Sequence, residues 1–62
     1  MKRRQFVKHL EGEDCEFYGE GAKHSKVRNK VTGKKSTVPR HNEIDNDLAK
    51  DICKQLGVQR PN

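Results

Sequence analysis

The sequence predicts a small α+β domain of the order α-β-β-β-α, in which two helices cover one face of a three-stranded antiparallel sheet. Apolar residues recur at helical spacing near both ends of the chain, and between them apolar and polar residues alternate around turn signals. A chain of 62 residues has room for one domain, residues 1–62, with a thin core. No apolar run approaches the roughly 20 residues that span a bilayer, so we expect a soluble protein.

The first predicted helix covers residues 2–13, where Phe6, Val7 and Leu10 lie on one face. Its start is basic, with Lys2, Arg3 and Arg4 in a position that opposes the helix dipole. Local helix stability therefore does not explain these residues. Solubility and a positive field towards an anionic partner such as RNA are both compatible with them.

Three strands are predicted in the middle of the chain. Residues 15–20 carry two aromatics in an imperfect alternation, and Gly21-Ala22 supplies a turn. Residues 25–29 form the second strand with Val27 inward, and residues 35–38 form the third. Pro39 ends that strand because it cannot donate to a ladder.

The second helix is predicted from four apolar residues spaced four apart, with Ala49 and Cys53 on the same side. Asp45 is the expected N-cap, and Gly57 is expected to end the helix in the left-handed conformation. Residues 59–62 are expected to fray. The four residues that define the buried face are Ile44, Leu48, Ile52 and Leu56.

The charge distribution indicates an anionic partner. The net charge is +5, and the segment between Gly21 and Asn42 contains no acidic residue. We expect one strongly positive surface and another near neutral. The cations of that segment are Lys23, Lys26, Arg28, Lys30, Lys34, Lys35 and Arg40.

Several kinds of site are excluded by spacing. Cys15 and Cys53 fit neither a C-x-x-C redox pair nor a zinc knuckle, and both are expected to be small buried residues in a reducing cytoplasm. No H-E-x-x-H motif, glycine-rich phosphate loop or recognisable Ser-His-Asp arrangement occurs. These absences leave the histidines as candidates for chemistry.

His24 follows the predicted turn at Gly21-Ala22 and lies among cations, so we expect it to be exposed. A histidine exchanges protons near neutral pH, and RNA cleavage needs such a group together with positive charge near the phosphate. The simpler interpretation, which composition and spacing alone favour, is a surface histidine that only contacts phosphate. His41 is expected to bond backbone in its loop or to serve as a second acid, and His9 is expected on the surface.

Three stretches together resemble the HicA family, the ribonuclease half of type II toxin-antitoxin pairs, in order, spacing and total length. They are Leu10-Glu11-Gly12 before the first strand, Gly21-Ala22-Lys23-His24-Ser25, and Val38-Pro39-Arg40-His41-Asn42-Glu43-Ile44 leading into a helix that ends in Leu56-Gly57. The resemblance implies a fold similar to double-stranded RNA-binding domains, mRNA cleavage that blocks translation, and a HicB-type antitoxin protein as partner. It further implies that His24 is catalytic and that no metal or other cofactor is needed.

These observations predict a metal-independent endoribonuclease toxin with His24 as general acid or base. The main alternative is a non-catalytic module that binds double-stranded RNA through its shape and phosphates. A further alternative is a purely protein-binding domain whose positive face meets an acidic partner. The residues expected to bind RNA are Lys23, Lys26, Arg28, Lys35 and Arg40.

Overall fold

The computed structural model describes residues 1–61 and contains the predicted α-β-β-β-α order. The elements are α1 (Arg3–Gly12), β1 (Cys15–Glu20), β2 (His24–Asn29), β3 (Lys35–Pro39) and α2 (Asn46–Leu56). The strands form one antiparallel sheet with β2 in the centre. No helix in the described range has both the length and the apolar character needed to cross a membrane. Asn62, the last residue of the tail predicted to fray, lies outside the described residues.

Both helices pack on the same face of the sheet, α1 near β1 and α2 near β3, as the sequence predicts. Cys15 and Cys53 are free thiols within this core, and burial raises the pKa of both, that of Cys53 to about 11. Within residues 1–61, the opposite face of the sheet carries no helix. The buried apolar residues are Phe6, Leu10, Cys15, Val27, Val38, Ile44, Ala49, Ile52, Cys53 and Leu56.

Helix α2 has the predicted caps and differs from prediction at one position. The Asp45 carboxylate accepts a hydrogen bond of 2.8 Å from the backbone N–H of Asp47, and Gly57 closes the helix with φ of 71°. The prediction that Leu48 is buried is wrong, since the residue is 39% exposed. Leu48 lies in the first turn of the helix, and helical spacing gives the direction of a side chain without showing whether other residues cover it.

Helix α1 begins without a side-chain cap, and backbone pairing replaces it. The N–H of Arg3 donates to the carbonyl of Asn42 over 2.8 Å, and the N–H of Ile44 donates to the carbonyl of Met1 over 2.8 Å. The loop between β3 and α2 is thereby joined to the start of α1. The start of α1 is thus fixed by backbone hydrogen bonds, without a capping side chain from Lys2 or Arg3.

The segment after α2 contacts α1. Gln59 contacts the helix and its C-cap residue. Its carbonyl oxygen lies 2.6 Å from His9 Nε2 in the helix, and its N–H donates to Oε1 of the C-cap Glu13 over 3.4 Å. His9 is therefore half-buried beneath this segment, whereas the sequence predicted a plain surface residue. A structural role follows for His9.

Candidate functional site

His24 is the first residue of β2 and its side chain is exposed on the helix-free face of the sheet. Alternation along the strand causes this orientation, because Ser25, Val27 and Asn29 are buried and the residues between them point away from the helices. The exposure predicted for His24 is therefore what the structure has. The ring is open to a ligand approaching the sheet.

Cations continue the row that His24 begins. Lys26 and Arg28 follow it on the same face of β2, and in the register of the sheet Lys35 of β3 pairs with Arg28. Cross-strand partners share a face, so the three cations lie together beside His24. An imidazole is thus placed at one end of a positive sheet surface.

A buried serine links the strand that carries His24 to helix α1. Ser25 is 0% exposed, and its Oγ accepts a hydrogen bond of 2.7 Å from the Arg3 guanidinium. The Nε of Arg3 donates to the carbonyl of Pro39, the residue paired with His24, over 2.9 Å. Arg3 therefore turns inward and holds both strands at the His24 end, which accounts for a cation at this helix start.

Glu20 completes the same network from β1. Its Oε2 accepts 2.6 Å from Ser25 Oγ and 3.0 Å from Arg40 Nη1. Arg40 also contributes its backbone N–H to the carbonyl of Lys23, 3.1 Å away. Charged groups from α1, β1 and the residue after β3 therefore meet at the His24 end of the sheet, and none of these bonds uses the His24 ring.

The turn before His24 is equally constrained. The N–H of Gly21 donates to the carbonyl of His24 over 2.8 Å. A β-carbon at Gly21 would lie 2.9 Å from that carbonyl oxygen, closer than real contacts allow. The glycine predicted as a turn residue is thus required by close approach to the His24 backbone.

The five cations expected to bind RNA fall into two groups. Lys23, Lys26 and Lys35 are exposed and take part in no ion pair within residues 1–61. Arg28 is paired with Glu16, and the hydrogen bond between them raises the pKa of Arg28 above its ordinary value. Arg40 is paired with Glu20. Three lysines are therefore free for phosphate, and the two arginines already hold carboxylates.

His41 lies at the same end of the sheet as His24. It follows β3 by two residues, and the last residue of β3 pairs with His24. The ring is exposed in the loop before α2. Throughout residues 1–61, no group of three or more His, Cys, Asp or Glu side chains is arranged to hold a metal ion.

Sequence reasoning did not identify Arg3, Ser25 and Glu20 as a unit, or single out Tyr18. The only sequence signal for the network was Arg3 itself, a cation where the helix dipole disfavours one. Tyr18 is 45% exposed on a strand where alternation around it is broken. An irregular apolar pattern was the signal in that case.

Comparisons with curated proteins and with solved structures gave no significant match. A family model described as the HicA toxin of bacterial toxin-antitoxin systems matches residues 3–58, which include both helices, all three strands and His24. On this match over most of its length, the chain belongs to the HicA toxin family.

Proposed function

We propose that this HicA-family toxin is a metal-independent endoribonuclease that cleaves mRNA in the cytoplasm and is neutralised by a HicB-type antitoxin. The observation that carries the proposal is the exposed imidazole of His24 at the end of a cationic, helix-free sheet face. That arrangement suits a polyanion that lies across the sheet. The family match supports a toxin whose activity is controlled by an antitoxin.

In the proposed reaction His24 removes the proton from a ribose 2′-hydroxyl. The oxygen then forms a bond to the adjacent phosphorus, the bond from phosphorus to the 5′-oxygen breaks, and a general acid protonates that leaving oxygen. Lys23 and Lys26 flank His24 in the chain and stabilise the negative charge that develops on the phosphate. Arg28, Lys35 and Arg40 extend RNA binding along the surface.

The second proton-transfer group is water, His41 or a lysine. His41 is supported by its exposure and by its position at the His24 end of the sheet. A pH-rate profile distinguishes these groups, because loss of a second titrating residue removes one limb of the bell. Comparing His41→Ala with the unmodified chain therefore tests whether His41 is the acid.

Incubation of purified protein with mRNA in the presence of a chelator tests the proposal. We expect cleavage, and a loss of about 10²- to 10⁴-fold in rate for His24→Ala. The substitution is on the surface, so the free energy of unfolding should change by no more than about 0.5 kcal/mol. Cleavage by His24→Ala at the original rate would reject the assignment of His24.

The non-catalytic alternative makes a different prediction in the same assay. RNA that is bound in a salt-dependent manner and stays intact would favour a binding module. Expression in a bacterial host, with and without the product of the neighbouring reading frame, tests the antitoxin. Growth arrest that the neighbour does not relieve would contradict the proposed pairing.

A further inference from the structure

Tyr18 occupies an irregular position on the helix-free face. Phe17 pairs with Val27 and Gly19 pairs with Lys26, so the register shift leaves Tyr18 as an extra residue between them. Phe17 packs against the core, and Tyr18 is 45% exposed. A single exposed aromatic is ordinary on a protein surface, so its surroundings must decide whether it binds anything.

Those surroundings are cationic. The Arg28 guanidinium carbon lies 5.5 Å from the centroid of the Tyr18 ring, and Lys35 Nζ lies 5.9 Å from it. Glu16 holds Arg28 through their ion pair, which limits the freedom of that side chain. Both cationic groups thus lie over an exposed aromatic ring, on a face whose cations continue to His24.

Gly19 leaves room for the Lys26 side chain on the surface between Tyr18 and His24. A β-carbon at Gly19 would lie only 3.3 Å from Lys26 Cδ, in the space beside the aliphatic part of that side chain. Lys26, which pairs with Gly19, is two residues from His24 along β2. At the rise per residue of a strand, Tyr18 therefore lies roughly 7–10 Å from His24 along the strand direction. One nucleic acid strand can reach both positions.

We propose that Tyr18 stacks on a base of single-stranded RNA next to the cleaved phosphate, while Lys26 and Lys35 contact the flanking phosphates. Exposed aromatic rings accompanied by cations bind single strands in this manner, and every base offers a π-face, so the subsite tolerates different bases. The inference rests on RNA being the substrate in the proposed function. It adds a base-binding subsite to the proton-transfer and phosphate-binding residues.

Binding at Tyr18 can be followed by tyrosine fluorescence. The chain has one Tyr and no Trp, so tyrosine fluorescence comes from Tyr18 alone. The probe is the His24→Ala protein with a single-stranded oligouridylate, compared with an abasic ribose-phosphate oligomer of equal length. We expect quenching by the oligouridylate and none by the abasic oligomer, after correction for absorbance with free N-acetyltyrosinamide. Equal quenching by both would overturn the inference.

Two substitutions separate stacking from bulk in the same background. Tyr18→Phe keeps the aromatic ring and should bind oligouridylate with unchanged Kd, whereas Tyr18→Leu should bind about 5- to 100-fold more weakly. Val31→Ala changes a 76% exposed residue outside the strands and should leave the Kd unchanged. Thermal unfolding of each variant establishes that it is folded. Unchanged affinity of a folded Tyr18→Leu variant would overturn the inference.

The outcomes distinguish this inference from the proposed function. Cleavage that depends on His24 together with unchanged binding by Tyr18→Leu removes the subsite and keeps the nuclease. Base-dependent quenching without cleavage by the unmodified chain keeps the subsite and removes the nuclease. Loss of neutralisation by the antitoxin in Tyr18→Leu, with RNA affinity intact, would assign the tyrosine to a protein contact and overturn the inference.

Discussion

The two ends of β2 are each closed by a buried polar side chain, but the partners of Ser25 and Asn29 differ in kind. Ser25 is bonded to the charged side chains of Arg3 and Glu20. Asn29 is bonded to backbone: its amide donates 2.8 Å to the carbonyl of Leu56, and its Oδ1 accepts 2.8 Å from the N–H of Val31. A further backbone N–H, that of Thr32, lies 3.3 Å from the same oxygen.

The same physical requirement, the hydrogen bonding of a buried polar side chain, has different consequences at the two ends of β2. A buried polar group must be hydrogen-bonded, and both residues satisfy that rule. At the Asn29 end the partners are the last turn of α2 and the β2–β3 turn, so the bonds stabilise the fold. At the Ser25 end the partners come from α1 and β1, so the bonds join these elements to the residue that follows the candidate catalytic His24.

The largest expected effect is at the Asn29 end. Asn29→Ala removes the bonds to the turn and leaves the Leu56 carbonyl without its partner, so the free energy of unfolding should fall by about 2–4 kcal/mol. Urea denaturation measures this. Asn29→Asp keeps an acceptor for the turn and loses the donor to Leu56, so it should also be destabilised. A change below about 0.5 kcal/mol in Asn29→Ala would contradict the structural role.

Ser25→Ala should have a smaller effect on stability, about 1–2 kcal/mol, because Arg3 and Glu20 keep their other partners. Its effect on the proposed RNA cleavage should be larger, about a 10- to 100-fold loss in kcat with little change in KM, since the base is displaced. The matched control is Ser36→Ala on β3, which loses an exposed hydrogen bond to the Gln55 side chain of α2. Equal kcat in the Ser25 and Ser36 variants would show that Ser25 does not position His24.

Gly21→Ala and Gly12→Ala compare a crowded glycine with an open one. The new methyl at position 21 meets the His24 carbonyl, so we expect a loss of about 1–2 kcal/mol and lower cleavage activity. Nothing lies within 4 Å of a β-carbon at position 12, so Gly12→Ala should be neutral or stabilising by about 0.4–1 kcal/mol. Thermal unfolding ranks the two variants. The reverse ranking would contradict the close approach at the His24 turn.

The smallest effect at neutral pH is a dependence of stability on alkaline pH, which comes from the thiols near the Asn29 end, where Cys15 pairs with Asn29. Burial, with a smaller contribution from Cys15, raises the pKa of Cys53 from 9.0 to about 11. A raised pKa in the folded state means that the contribution to stability is complete below pH 9 and is lost as the pH rises to about 11. Stability curves of Cys53→Ala should therefore fall less steeply over that interval. Parallel curves would contradict the assignment.

Much of the fold was predictable from local pattern. The bounds of β1, the N-cap Asp45 and the C-cap Gly57 agree with prediction, because each depends on alternation or on capping chemistry within a few residues. Leu48 was predicted wrongly because helical spacing gives the direction of a side chain without giving the extent of the surface that covers it. His24 was found from its turn, its neighbours and the family resemblance.

The network around His24 was not predictable in the same way. Arg3 and Ser25 are 22 residues apart, and their contact exists only once α1 is packed against the sheet. The pairs Arg28–Glu16 and Arg40–Glu20 likewise depend on strand register and on the position of the segment after β3. A count of cations in the acid-free segment therefore overstated how many are free.

The sequence by itself determined the order of the elements, the side of β2 that is buried and the concentration of positive charge in the middle of the chain. These properties follow from side-chain periodicity and composition, which are local. Only the tertiary structure decided which cations are paired with carboxylates, which residues bond to Ser25 beside His24, and that Arg28 and Lys35 lie over an exposed Tyr18. Those outcomes depend on register and packing, where a shift of one residue would send every side chain of a strand to the opposite face.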